Sequence, residues 1–133
     1  MTLVAKKGTH NFIYLNMQGA GNNYATAVFN LNTGAMTQSA VGSSSGTIVS
    51  TSITLLNNGF YLLTLVASGT NFIYGLWGFS PAASGVSLDA FGQASATTWA
   101  GTETVIIQNA QIEPGPFATS YIPTAAASVT RAA

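Results

Sequence analysis

The sequence predicts an all-β domain built as a sandwich or barrel. Gly, Ser, Thr, Asn and β-branched residues dominate the chain, so the apolar periodicity of helices is nearly absent. Turn-forming residues recur about every ten positions, a spacing typical of sandwiches and barrels. A chain of 133 residues is long enough for one hydrophobic core. We therefore expect residues 1–133 to form a single domain.

Short β-type runs between these breaks predict the individual strands. They cover residues 2–6, 11–17, 24–31, 35–39, 47–55, 60–67, 72–79, 86–89, 97–100 and 103–112. Two of the breaks, Thr33-Gly34 and Asn58-Gly59, are suited to tight turns because Gly and Asn tolerate positive φ. They predict hairpins over residues 24–39 and 47–67.

The C-terminal stretch, residues 113–133, has a different character. It holds Pro114, Pro116 and Pro123, and proline neither donates to a strand ladder nor fits inside a helix. We expect an extended strap that leaves the last strand at Glu113 and crosses a surface of the domain. The side chains available to hold the strap in place are those of Phe117, Tyr121 and Ile122.

The low charge content restricts the class of partner. Charged residues make up 5% of the chain and the formal net charge is zero, against about 25% charged residues in an average soluble domain. Nucleic-acid binding is disfavoured because it needs clustered Lys and Arg. A neutral ligand, or burial of much of the surface in an oligomer, fits this composition better.

The sequence also disfavours disulfides, cysteine-ligated metal sites and membrane-spanning helices. It has no Cys, which excludes disulfides and thiolate metal sites. No apolar run approaches the ~18 residues of a membrane helix, and we expect no membrane insertion.

A short internal repeat points to a surface of aromatic side chains. Asn-Phe-Ile-Tyr occurs at residues 11–14 and again at residues 71–74. Side chains alternate along a strand, so one face of the first copy carries Phe12, Tyr14 and Asn16, and the other carries Ile13, Leu15 and Met17. The aliphatic face is predicted to be core and the aromatic face to be a binding platform. Chance is the alternative, because strands favour these residue types anyway.

The two tryptophans have different surroundings. Trp77 lies in the apolar run 76–79 and is predicted to be core. Trp99 lies among small and polar residues, where it either stacks on a ligand or covers a loop. The candidate residues for a neutral-glycan face are Tyr14, Asn16, Tyr74, Trp99 and Gln108.

Catalytic patterns are weak throughout the chain. Residues 42–46 match G-x-S-x-G, but a β-type run follows them and the single His, His10, precedes them, so they are interpreted as a flexible loop. Glu103 and Glu113 lie at opposite ends of one predicted strand, ~33 Å apart, too far for a glycosidase pair. A structural calcium ion is possible, because the third acid, Asp89, could supply a carboxylate ligand. We predict no enzyme activity, no catalytic metal and no other cofactor.

The C-terminal sequence resembles a signature of the C-terminal domains of tailed-phage tail fibres, tail spikes and head fibres. Three segments carry the likeness: Asn109-Ala110-Gln111-Ile112-Glu113, Ala118-Thr119-Ser120-Tyr121-Ile122-Pro123-Thr124 and Val129-Thr130-Arg131-Ala132-Ala133. Residues 4–9, 29–34 and 58–62 resemble further elements of these domains, in the same order. The resemblance implies a jelly-roll β-sandwich of two antiparallel sheets, like that of concanavalin-type lectins and some carbohydrate-binding modules, often in trimeric fibres.

The chain also departs from the family pattern. Phe60 and Leu62 stand where relatives often carry Trp and Arg, and Gln108 stands where a Trp is common. The N-terminal strands and the final Asp of longer relatives have no counterpart here, so we expect a fragment or shortened domain.

The predicted function is that of a non-catalytic receptor-binding domain of a virion fibre. It would act outside the cell, bind a neutral saccharide and assemble as a homotrimer. The alternative is a purely structural packing module of such a fibre, without a ligand.

Overall fold

The computed structural model describes residues 1–42, 46–69, 71–95 and 98–115. Eight strands are present in this part of the chain. They are β1 (Thr2–Lys7), β2 (Phe12–Gly19), β3 (Tyr24–Asn30), β4 (Ala35–Val41), β5 (Thr47–Leu55), β6 (Tyr61–Ser68), β7 (Phe72–Phe79) and β8 (Val105–Gln111). The described residues contain no helix with the length and apolar character that a bilayer crossing requires.

The strands form two four-stranded antiparallel sheets that pack face to face. The first sheet has the order β5-β6-β1-β8, and the second has the order β4-β3-β2-β7. In both sheets a late strand pairs with an early one, because β8 lies beside β1 and β7 lies beside β2. The predicted all-β sandwich of two antiparallel sheets is confirmed.

Both predicted hairpins are present. Between β3 and β4 the chain turns at Gly34, which has a φ of 69° and donates its N–H to the Asn30 carbonyl at 2.9 Å. Between β5 and β6 it turns through Asn58 and Gly59, with φ values of 62° and 75°. These are left-handed conformations that Asn and Gly adopt at low cost.

Two predicted strands are wrong. Residues 86–89 contain a single bridge between Leu88 and Ala94, because the backbone around Val86 bonds to a side chain of the second sheet instead of to a strand. Residues 98–100 form no strand either, since the Ala100 N–H is bonded to the Glu103 carboxylate; Thr97 lies outside the described residues.

The strap is described only at its beginning. Residues 113–115 leave β8 without joining a strand. Residues 116–133, with the proposed anchors Phe117, Tyr121 and Ile122, lie outside the described residues, as do Ser43–Ser45 of the G-x-S-x-G loop.

The core fills the space between the sheets. Its fully buried side chains include Leu3, Ile13, Leu15, Phe29, Leu63 and Leu65. The prediction that Ile13, Leu15 and Met17 form the aliphatic face of β2 is confirmed, because all three belong to this core.

The opposite, outer face of the second sheet is also covered. Residues 80–95, here called the cover segment, cross it without forming a strand. The buried Asn16 Nδ2 donates to Thr26 Oγ1 at 2.8 Å and to the carbonyls of Phe91 and Gly92 at 3.1 and 3.2 Å. Thr26 Oγ1 donates to the Gly92 carbonyl at 2.6 Å. A buried polar layer therefore joins the cover segment to the sheet.

Two further features hold the cover segment close. The Gln38 side chain on β4 makes two hydrogen bonds with the Val86 backbone. Its Oε1 accepts from the Val86 N–H at 2.9 Å, and its Nε2 donates to the Val86 carbonyl at 3.0 Å. Gly92 has a φ of 76°, and a Cβ there would lie 2.2 Å from the Tyr24 ring. Only glycine permits this approach.

The outer face of the first sheet has no comparable cover among the described residues. It carries Val4 and Lys6 from β1 and Ile106 and Gln108 from β8, which share a side because Leu3 and Ala5 point into the core. Ile106 remains 49% exposed. Within the described part of the chain, the two faces of the sandwich thus differ, because one is covered and the other is not.

We expect Asn16→Ala to destabilise the domain by about 1–3 kcal/mol, because it removes the side-chain donor to the Phe91 carbonyl and one of the two side-chain donors to the Gly92 carbonyl. Hydrogen exchange should accelerate in residues 80–95 more than in β1 or β6. Asn57→Ala, at an exposed turn position, is the matched control and should shift stability by less than about 0.5 kcal/mol. Equal stability of the two variants would contradict the role given to the polar layer.

Candidate functional site

The structure does not bring the five predicted site residues together. Tyr14 and Asn16 lie on the outer face of β2 beneath the cover segment and are 7% and 0% exposed. Tyr74 is exposed at one end of β7, Trp99 lies in the loop before β8, and Gln108 lies on the outer face of the first sheet.

The prediction that the Tyr14 face of β2 is an open platform is therefore wrong. The Tyr14 ring packs across Gly78, where an added Cβ would lie 2.6 Å from its hydroxyl. Burial, and in addition the nearby Asp89 carboxylate, raises the pKa of the Tyr14 hydroxyl. The sequence could not show this, because the covering residues are more than sixty positions away.

Trp77, predicted to be core, is 40% exposed. It lies on β7, an edge strand, where the sandwich opens to solvent beside Gly75. An apolar run indicates a strand but does not indicate whether that strand is central or at an edge.

An aromatic cluster occupies this open side of the sandwich, and its members are His10, Phe12, Trp77, Phe79 and Trp99. Trp99 lies 5.3 Å from His10 and 5.7 Å from Phe79, measured between ring centroids. Phe79 lies 6.4 Å from Trp77 at an interplanar angle of 79°. These are favourable edge-to-face and tilted arrangements. Two partly exposed indole rings are therefore held against the same phenyl ring.

The loop that carries Trp99 is ordered by Glu103. Its two carboxylate oxygens accept the N–H groups of Ala100 and Thr102 at 2.9 and 3.0 Å. These backbone hydrogen bonds favour the ionised form and hold the pKa of Glu103 below its ordinary value. The carboxylate thus closes a tight turn directly after Trp99.

The same loop is fastened to the turn between β1 and β2. Thr9 and Thr104 exchange hydrogen bonds, each backbone N–H donating to the other's Oγ1 at 3.0 and 2.9 Å. Gly8 is needed at the contact, since a Cβ there would lie 2.3 Å from Thr104 Oγ1. His10 extends the connection to the cover segment, because its Nε2–H donates to the Ser80 carbonyl at 2.8 Å. The indole of Trp99 is therefore positioned before any ligand arrives.

A groove continues from the cluster between the edge strands β7 and β8. We call it the seam groove. It consists of a depression of about 380 Å³ beside Trp77, Gly75 and Gln111, and one of about 480 Å³ beside Phe72 and Glu113. Met1 and Ile112 line both depressions. Their side chains lie against Gly75, where an added Cβ would be 2.9 Å from Met1 Sδ and from Ile112 Cδ1.

The charged groups described in the groove lie at its Phe72 end. The Met1 amino group donates to the Leu65 carbonyl at 2.8 Å. Burial lowers its pKa, while the negative charge of Glu113 acts in the opposite direction. The remainder of the described lining is neutral.

The acids in the described residues have structural partners. Asp89 Oδ1 accepts the N–H groups of Phe91 and Gln93 at 2.9 and 3.0 Å and so shapes the cover segment. Within the described ranges, no three His, Cys, Asp or Glu side chains are grouped to hold a metal ion.

We expect the Trp99 loop to loosen in acid. The pKa of Glu103 is depressed in the folded state, so its stabilising contribution is present above the ordinary Glu pKa of about 4.3 and is lost as the pH falls through the depressed value. In a Trp77→Phe background Trp99 is the single tryptophan of the chain. Its fluorescence emission should change as the pH falls through the depressed pKa of Glu103. Glu103→Gln should abolish the change and Glu113→Gln should retain it; persistence in Glu103→Gln would contradict the assignment.

Comparisons of the chain with protein-family models, with curated proteins and with solved structures find no match.

Proposed function

We propose that this domain is a non-catalytic module that binds a neutral saccharide as the receptor-binding part of a phage virion fibre. The observation that carries the proposal is the pair of half-exposed tryptophans, Trp77 and Trp99, held beside Phe79 at the open side of the sandwich. Such rings offer flat apolar faces with a polar N–H at one end. A sugar presents the complementary combination, an apolar face of C–H groups edged by hydroxyls.

Preorganisation of the loop supports a binding role. Glu103 and the Thr9–Thr104 hydrogen bonds fix the Trp99 loop at two points. A fixed ring loses little conformational entropy when a ligand stacks on it, which improves affinity without additional contacts.

The low charge around the tryptophans supports a neutral saccharide as the ligand. Glu103, the acid nearest to Trp99 in sequence, already accepts two backbone hydrogen bonds. A neutral saccharide needs no countercharge, whereas an anionic one would need Lys or Arg residues, and none belongs to the aromatic cluster as far as the structure describes it. Engaged carboxylates also favour binding over hydrolysis, which requires two acids facing one glycosidic bond.

The placement in a virion fibre, and with it the location outside the cell, rests on the sequence resemblance in residues 109–133. A trimeric fibre would present three copies of a weak site, and the effective concentration of linked sites would raise the overall avidity.

We expect a glycan array to give neutral-saccharide hits that depend on the tryptophans. Trp99→Ala and Trp77→Ala should each weaken binding at least about tenfold, a loss of about 1.4 kcal/mol. Phe91→Ala removes an aromatic ring of similar exposure (47%) from the cover segment and should leave the affinity unchanged. Absence of neutral-saccharide hits at high protein density, or equal effects of all three variants, would contradict the proposal.

A purely structural packing role is the second candidate, and the open outer face of the first sheet favours it. Ile106 is 49% exposed there, opposite Lys6. Lys6 is the charged side chain of this face among the described residues, and its Nζ is engaged by the Asn58 carbonyl at 2.8 Å. A neutral, partly apolar sheet face is suited to packing against another copy of the chain.

If copies pack through this face, Ile106→Asp should convert the oligomer to monomer, because it would bury an unpaired charge in each contact. Light scattering measures the change in mass, and Phe91→Asp, on the opposite side of the sandwich, is the control. A monomeric wild-type chain, or an oligomer unaffected by Ile106→Asp, would argue against the packing role.

A further inference from the structure

We infer that the domain carries a second neutral-saccharide site, which does not use the tryptophans, in a depression on the outer face of the first sheet. The depression has a volume of about 560 Å³, within the ~300–1,000 Å³ that ligand pockets occupy. No residue of the aromatic cluster lines it. The residues that would bind the ligand are Val4, Asn57, Asn58, Phe60, Gln108 and Asn109.

Four amide side chains reach the depression from two directions. Asn57 and Asn58 belong to the turn between β5 and β6, and Gln108 and Asn109 belong to β8. All four residues are exposed, and their side chains make no hydrogen bond to the residues that the structure describes. Each amide offers both donors and an acceptor. The set can therefore pair with sugar hydroxyls in either sense without any charge.

A local irregularity of β8 brings two consecutive residues to this one depression. Successive side chains of a regular strand point to opposite faces, yet Gln108 and Asn109 both line the depression. Asn109 has a φ of 48°, and the pairing of β8 with β1 shifts register between Thr2 and Val4. Irregularities of this kind re-aim side chains and are over-represented beside functional sites.

Apolar groups supply the surface on which a sugar ring would rest. Val4 lies on β1, opposite Leu62 of β6 on one side and Gln108 of β8 on the other. Because β6 and β8 flank β1, their side chains stand ~9.5 Å apart, which leaves room for one sugar ring between them. The Phe60 ring adds a flat apolar face of the kind that packs against sugar C–H groups.

Lys6 holds the turn and the aromatic ring in place. Its Nζ donates to the Asn58 carbonyl at 2.8 Å and lies 5.6 Å from the centroid of the Phe60 ring, within the range of a cation–π contact. The Leu56 N–H also donates to the Phe60 carbonyl at 2.7 Å. A turn fixed in this way loses little conformational entropy when a ligand binds.

Packing against another protein surface is the competing use of this depression. An apolar partner would bury the four amides without hydrogen-bond partners, which is unfavourable. A ligand that is rich in hydroxyl groups satisfies them. The amides therefore favour a saccharide over an apolar protein surface at this place, whereas Ile106 lies outside the depression.

The probes are neutral mono- and oligosaccharides on an array, applied to the wild type and to a Trp77→Ala/Trp99→Ala double variant. The double variant should retain a subset of the wild-type hits, because the second site uses neither indole. Adding Gln108→Leu should weaken these hits at least about tenfold, since it replaces an amide by an apolar side chain of similar size. Ser52→Leu, exposed on β5 outside the depression, is the matched control and should retain them.

Thermal unfolding checks that each variant is folded. Should the double variant not fold, NMR titration of the wild type with each array hit takes its place. At least one saccharide should shift the side-chain amide resonances of Asn57 and Gln108. Shifts confined to the indole N–H resonances of Trp77 and Trp99 would overturn the inference.

The second site and the proposed tryptophan site fail separately. Loss of every hit in a folded double variant, or retained hits that Gln108→Leu leaves unchanged, would overturn the inference and leave the proposed function standing. Hits that depend on Gln108 and on neither tryptophan would support the second site and overturn the tryptophan site. Absence of any neutral-saccharide hit for the wild type would overturn both.

Discussion

The arrangement of this domain depends on the need to satisfy polar side chains that are buried on the outer face of the second sheet. Asn16 and Thr26 are inaccessible to water, and an unsatisfied buried amide costs about 1–3 kcal/mol. The Phe91 and Gly92 carbonyls of the cover segment accept from Asn16 Nδ2 and Thr26 Oγ1, whereas Asn16 Oδ1 has no partner among the described residues. Ser80, the first residue of the segment, is held by its own N–H bond to the Phe12 carbonyl at 3.0 Å, and its carbonyl accepts the Nε2–H of His10. The cover segment therefore also contacts the aromatic cluster.

Sealing one sheet in this way decides where the domain can interact. The Tyr14 face of β2, which has aromatic and amide groups of the kind that bind sugars, is already occupied by the chain itself. Among the described residues, the surfaces left uncovered are the outer face of the first sheet and the side of the sandwich that holds the aromatic cluster. The second of these combines two partly exposed indole rings with low charge, and the proposed saccharide site rests on that combination.

Strand alternation and turn chemistry were enough to predict the sandwich, both hairpins and the Ile13–Leu15–Met17 core face, because these depend on local sequence. Trp99 was recognised as a candidate from its small polar neighbours. The burial of Tyr14 and the exposure of Trp77 depend on which strands lie at an edge and on a segment that crosses a sheet without joining it. Neither leaves a periodic signal, so alternation assigned Tyr14 to the wrong environment and the apolar run 76–79 did the same for Trp77.

The polar layer under the cover segment also bears on how the chain reaches its native state. The strands β2, β3 and β4 are consecutive and can pair as soon as they are synthesised, whereas the partners of Asn16 lie 75 and 76 residues later. Contacts of such sequence separation form late. Until then the outer face of the unfinished sheet exposes Asn16, Gln18 and Thr26 together with Tyr14 and Val28. The cover segment therefore completes a face whose amide and hydroxyl groups stay hydrated until residues 80–95 have been added to the chain.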